Sequence, residues 1–294
     1  MTRRFVLLVN PASAGGRALK VLPAVIAELD AHGAEHRTVT TRSLEHAAEE
    51  SARAAEAGET IAALGGDGLL RPIAGAISGR ETAVALVPCG RGNDLARVLA
   101  IPSDPARAAR LAVRGQERRI DVASMDRTPY LGIASLGIDS DANQIANDAR
   151  LLPGNAVYFY AGVRALAAWR PAAFTVTVDG ERHEFSGYSV AVGNSRAYGG
   201  GMMLLPHAEL DDGKLDVLMI EHYSKLRLFR DHMPGVYRGT HLSAPHHILA
   251  RGEVVEVQSD RQFAVYADGD PIGATPATMR VERQALRVIG PPES

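Results

Sequence analysis

The sequence predicts an α/β N-terminal domain with a mostly parallel sheet over residues 1–115. A second, mainly antiparallel domain is expected over residues 116–294, sharing a cleft with the first. Three observations carry this reading. Up to about residue 115, short apolar runs alternate with helical patterns, as in a parallel sheet covered on both faces. Beyond that point strand-like runs follow one another with turn signals between them. No flexible spacer separates the two textures, so the domains are expected to pack closely. The chain's 294 residues suit about two domains.

In the first part, FVLLV (5–9) is a short apolar run that stops at Asn10-Pro11 and reads as a buried strand. Leu22, Val25, Ile26 and Leu29 recur at helical spacing within 17–32. HRTVT (36–40) reads as a strand, and the Ala- and Glu-rich 44–57 as a helix. TIAALG (60–65) and AVALVP (83–88) are two further buried strands, followed at once by GGDG and CGRGND. In the second part, RRIDVASM, YLGIASLG, YSVAVGN, LDVLMI, EVVEVQS, FAVYADGD and TMRVERQALRVIG read as strands. VTVDGERHEF has the pattern of a hairpin with an Asp-Gly turn. Helices are expected at 141–150, 155–169 and 224–238.

Composition narrows the function. The 32 basic and 34 acidic side chains leave a formal charge of −2, so no overall basic footprint for nucleic acid exists. The single cysteine, Cys89, excludes an intramolecular disulfide and a Cys-based zinc site, and fits a reducing, cytoplasmic location. The apolar run after Arg3-Arg4 is too short for a signal peptide, and none approaches the roughly 20 residues of a membrane span. Membrane contact is therefore expected to be peripheral, at the inner face. A homodimer is compatible with the sequence. His241, His246 and His247 read as a solvated loop, Cys89 as a small buried side chain, and Tyr158, Phe159, Tyr160 and Trp169 as core.

Chemistry concentrates in three loops, each following a strand of the first domain. In ALGGDGLL (63–70) a buried strand ends, glycines surround Asp67, and a helix follows. Glycine N–H groups and a helix N-terminus make an anion cradle. Asp67 suits a phosphate site only by holding Mg²⁺; a plain tight turn would look similar. NPASAGGRA (10–18) offers Asn10 and Ser13, with Ser13 equally suited to capping a helix. It is not a Walker loop. In PCGRGND (88–94), Asn93 or Asp94 suits a cap of the helix that follows. Turn chemistry alone would not place all three loops on one sheet edge, where ligands bind.

These loops, taken with GIDSDA (137–142), GNSRAYGGGMMLLPHAELDDGKLDV (193–217) and VYADGD (265–270), resemble the diacylglycerol kinase catalytic-domain family. That family includes bacterial lipid kinases and the related sphingosine and ceramide kinases. The resemblance spans nearly the whole chain, in order. It implies a nucleotide domain and a β-sandwich domain with the active site between them, the last strand often returning to the first domain. It implies ATP and Mg²⁺ as cofactors, a lipid hydroxyl at a membrane surface as acceptor, and no nucleic-acid partner. Asn10, Pro11, Ala12, Ser13, Ala14, Thr41, Gly65, Gly66, Asp67, Gly68, Leu69, Leu70 and Arg71 match ATP-contacting positions, and Asp270 matches the proton acceptor of the DGE motif. The AELDDGKL loop matches a structural Mg²⁺ site, with Asp212 as carboxylate ligand and Glu209 and Lys214 as backbone-oxygen ligands.

The chain departs from the family pattern at Leu69, for the threonine of GGDGT, and at Arg71-Pro72, for Asn-Glu. It departs again at Arg91, for Thr or Ser, and at Asp270, for Glu. Arg91 can bind phosphate bidentately and so replace the lost hydroxyls. The departures equally suit a weakly catalytic nucleotide- or lipid-binding protein. Soluble-metabolite kinases such as NAD kinases also carry GGDG, but the match beyond residue 130 favours the lipid kinases.

Overall fold

The computed structural model describes residues 3–148 and 156–292. Four parallel strands open the fold: β1 (Phe5–Val9), β2 (His36–Thr40), β3 (Thr60–Gly65) and β4 (Ala83–Pro88). They lie in the order β4-β3-β1-β2. Every residue of β1, β3 and β4 is buried, as their unbroken apolar runs require when helices cover both faces. Helices α1 (Arg17–Ala31), α2 (Leu44–Glu56), α3 (Asp67–Ile77), α4 (Asp94–Val98) and α5 (Pro105–Arg114) connect and cover them. Ser43 and Asp104 cap α2 and α5 by accepting the N–H groups of His46 and Arg107.

The second part is antiparallel. Strand β5 (Gln116–Met125) is followed by β6 (Thr128–Tyr130), β7 (Ile133–Gly137), α6 (Ile138–Asp148) and α7 (Ala156–Ala168). The hairpin of β8 (Ala172–Val178) and β9 (Glu181–Gly193) turns at Asp179-Gly180, where both residues have positive φ. Next come β10 (Leu215–Glu221), α8 (Lys225–Val236), β11 (His247–Gly252) and β12 (Val254–Ser259). The short pair β13 (Ala264–Ala267) and β14 (Asp270–Ala274) precedes the long last strand β15 (Ala277–Gly290).

Strand β15 ties the two parts together. Its first half pairs antiparallel with β12, its last residues pair parallel with β4, and β5 runs beside it throughout. The change of core falls inside β5: Ile120 and Val122 pack in the first, Ala123 and Met125 in the second. Where β15 is irregular, the wholly buried Asp121 accepts the N–H groups of Gln284 and Gly213, each at 2.6 Å. A buried carboxylate is tolerable when backbone donors surround it.

Some expectations change. His241 is not solvated: it is buried and bonds the Leu204 carbonyl at 2.9 Å, and His232, His241 and His247 cluster with ring centroids 4.9–6.1 Å apart. Burial holds all three imidazoles below the usual histidine range. His246 lies on the surface against the Tyr223 ring. Trp169 is core, stacked between Tyr188 and Phe263, but Tyr160 is exposed; the side chains of Tyr158 and Phe159 lie outside the described set. Cys89 is fully buried, and burial pushes its thiol up.

Candidate active site

The loops that follow β1, β3 and β4 meet on one sheet edge because the strands are neighbours in register. The Asn10 N–H bonds the Leu64 carbonyl at 3.0 Å, and the Cys89 N–H bonds the Gly65 carbonyl at 2.7 Å. Gly66 and Gly90 touch through their backbones: a Cβ on Gly90 would stand 2.5 Å from the Gly66 Cα. Only glycine allows that approach.

Each loop is shaped locally. Asn10 turns its first loop by accepting the Ala12 N–H at 3.0 Å, and Ala14, Gly15 and Gly16 all take positive φ before α1. Ser13 is buried but does not cap α1, which, like α3, has no side-chain cap. Two helix N-termini without side-chain caps therefore lie at the same edge, the arrangement that binds anions. Thr41 is buried and bonds the Val9 carbonyl, bracing the first loop from behind. The side chains of Leu69 and Leu70 are buried, Leu69 beneath Gly65, so any contact from them to a phosphate is by backbone. Arg91 is exposed beside the glycine contact and has no bonded partner among the described residues.

Asn93 does not cap α4 with its side chain; it closes its own loop, accepting from the Gly90 N–H at 2.8 Å and donating to the Gly90 carbonyl at 2.9 Å. The cap is Asp67, from the neighbouring loop, which accepts the N–H groups of Asp94 at 3.1 Å and Leu95 at 3.3 Å. Burial, and after it the adjacent Asp94 charge, raise the Asp67 carboxyl above the usual carboxylate range. A bound cation would relieve both effects, so Asp67 fits a role in holding Mg²⁺.

The second domain closes the site. Asp94 accepts the Gly200 N–H at 2.8 Å, joining α4 to the glycine-rich loop 199–201. Asp270, at the start of β14, pairs with Arg71 of α3 at 3.2 Å. Its Oδ2 lies close to Gly68, 3.8 Å from where a Cβ there would stand. Asp268 serves structure: its two oxygens accept the N–H groups of Leu131 and Gly132, both at 2.9 Å. Burial pushes its carboxyl up to about 6, with the Asp67 charge adding to the effect. The residues expected from the first three loops thus gather at one sheet edge, where Asp270 of the second domain meets α3. Sequence reasoning missed the Asp67 cap, the Asp94–Gly200 bond and the Arg71–Asp270 pair.

Glu209, Asp212 and Lys214 lie apart, beneath the irregularity of β15. Asp212 accepts the Lys214 N–H at 2.9 Å and forms an ion pair with Arg251, which also reaches Asp216 at 3.4 Å. Burial pushes the Asp216 carboxyl up to about 6, and the Glu209 charge contributes. Among the described residues no group of three or more His, Cys, Asp or Glu side chains converges as a metal site. A cation here would rest on Asp212 and backbone oxygens, sharing the carboxylate with Arg251. Asp212→Ala is expected to lower stability by about 0.5–1 kcal/mol, since half-exposed Arg251 loses one of two carboxylate partners and the Lys214 N–H loses its acceptor. If the loop holds Mg²⁺, the added ion raises the melting temperature of the wild type and not of the variant. Equal responses would leave an ordinary turn.

Comparison with known proteins places this architecture. Residues 4–125 match the diacylglycerol kinase catalytic domain, and residues 132–290 the YegS C-terminal NAD kinase beta sandwich-like domain. A diacylglycerol kinase of Mycobacterium tuberculosis is 30% identical over 292 residues, covering 97% of this chain and 94% of its own length. A diacylglycerol kinase of Staphylococcus carnosus is 24% identical, covering 99% and 96%. The crystal structure of a diacylglycerol kinase from Bacillus anthracis shares the fold at a TM-score of 0.75 and 20% identity, covering 99% of this chain and 98% of that one. The chain therefore belongs to the diacylglycerol kinase family, a family of lipid kinases.

Proposed function

We propose that this chain transfers the γ-phosphoryl group of ATP, with Mg²⁺, to the hydroxyl of a diacylglycerol-like lipid. One observation carries the reading: the Asp270 carboxylate of the second domain lies close to Gly68, the residue after Asp67, at the sheet edge where the glycine loops and two helix N-termini without side-chain caps meet. The glycine loops and helix ends bind the phosphates, with Arg91 reaching them from the rim. Asp67 would hold Mg²⁺, which when bound would supply neutralisation of the charge on the phosphate oxygens. Asp270 takes the proton of the lipid hydroxyl as its oxygen attacks the γ-phosphorus; the bond to the bridging oxygen breaks and ADP leaves.

A lipid acceptor asks for reversible contact with a bilayer. Among the described residues no helix is long and apolar enough to cross a membrane. Leu226, 77% exposed, stands with exposed Arg227 on the first turn of α8; Lys225 there bonds the Ala167 carbonyl at the end of α7, whose Tyr160 and Val163 are also exposed. Apolar side chains set among cations suit an anionic lipid surface and support a peripheral mode.

The test is radiolabel transfer from ATP to mixed vesicles containing diacylglycerol, with NAD as a soluble acceptor for comparison. Labelled lipid is expected. Label on NAD alone would sink the lipid reading, and ATP binding without transfer would favour a non-catalytic protein. In an ATP titration, Arg91→Ala is expected to weaken binding roughly tenfold, about 1.5 kcal/mol, and Arg91→Thr to recover part of it. Unchanged affinity in Arg91→Ala would remove Arg91 from the phosphate site.

A further inference from the structure

Two of the departures from the family pattern, Arg71 and Asp270, touch. Arg71 lies on α3 one turn after Asp67, so both side chains leave the same face of the helix. Its side chain is only 16% exposed, and its guanidinium meets the Asp270 carboxylate at 3.2 Å. The contact crosses from the first core to the second. The Asp270 side chain has no other bonded partner among the described residues, and it is 44% exposed. It begins β14, which among the described residues pairs with β13 alone, at the far end of the sheet order. The turn that delivers it is held at Asp268, which is pinned to Leu131 and Gly132. That pinning fixes the backbone two residues earlier but leaves the Asp270 side chain to rotate. Arg71 is the group that stops it.

We propose that Arg71 is the positioning residue for Asp270. Resting on the kinase reading above, this makes Arg71 act through the base and not chiefly as a nucleotide ligand. The base belongs to one domain and the phosphates to the other, so its aim depends on a tie between them. An aspartate is short, and a long side chain from the nucleotide domain comes out to meet it. Placement matters because misalignment of a catalytic group by about 1 Å can cost 10²-fold in rate. The burial of the Arg71 stem restricts where its charged end can lie, so the carboxylate it holds is restricted too.

The experiment is a double-mutant cycle on phosphoryl transfer to diacylglycerol vesicles, using Arg71→Ala, Asp270→Asn and the double variant, with ATP affinity measured separately. Arg71→Ala is expected to lower kcat about 10²-fold while the KM for ATP changes less than about threefold. In the Asp270→Asn background the same substitution should cost less than about twofold, because the group it positions no longer accepts a proton. Arg71→Asn should lower kcat similarly, and adding Asp270→Glu should recover at least part of the loss, the longer carboxylate covering the reach that the arginine supplied. Multiplying losses in the double variant, or a raised KM for ATP as the main effect of Arg71→Ala, would show Arg71 serving the nucleotide and would overturn the proposal while leaving the kinase reading intact. No transfer by the wild type overturns that reading and this proposal with it.

Discussion

Asp67→Asn is expected to fold and to lose phosphoryl transfer almost completely, by 10³-fold or more in kcat. Phosphoryl transfer asks little covalent chemistry of the protein and depends on position and charge neutralisation. Asp67 is the carboxylate at the meeting point of the GGDG loop and α4, with burial and Asp94 both acting against its charge. Such a charge is costly in the free protein and is offset when a cation binds. The amide keeps one oxygen for the N–H groups of Asp94 and Leu95, so the helix cap survives in part, at less than the about 0.5–2 kcal/mol that losing a cap outright costs. Removing a charge that burial disfavours works in the opposite direction, so the net change in melting temperature should be small. Turnover measured across Mg²⁺ concentrations decides the point. Near-normal turnover at limiting Mg²⁺ would remove Asp67 from the metal's charge balance.

Asp270→Asn is expected to lower kcat by about 10²–10⁴-fold with ATP affinity little altered, the usual contribution of a general base. The Asp270 carboxylate lies close to Gly68 of the loop after β3, which puts a proton acceptor beside the proposed phosphate site. Loss of ATP binding instead would make it a ligand or structural residue. Asp268 is the control two residues away. Both of its oxygens are taken up by backbone N–H groups, so Asp268→Asn should act mainly on stability, through the 131–132 segment it anchors.

What could be read from the chain alone follows from short-range physics. FVLLV, TIAALG and AVALVP announce buried strands because a parallel strand is covered on both faces and carries no polar positions. The Asp179-Gly180 turn is local because positive φ at two successive positions is a property of those residues. The three loops were legible because glycine marks where the backbone must bend or touch, and the strand-helix alternation implies that they share an edge. The partners those loops choose were not legible. Asp67 caps a helix that belongs to another loop, Asn93 turns away from the helix it precedes, and Arg71 crosses the cleft to Asp270. His241 disappears into a cluster from a segment that reads as polar, and β15 serves both domains in one strand. Periodicity encodes which face of an element is buried, and turn chemistry encodes where the chain bends. Neither encodes which of several equally polar side chains will meet after folding, because that depends on the register and packing of elements far apart in the chain. The sequence by itself determined the two domains and the edge where chemistry gathers; the tertiary structure decided which charges face one another there.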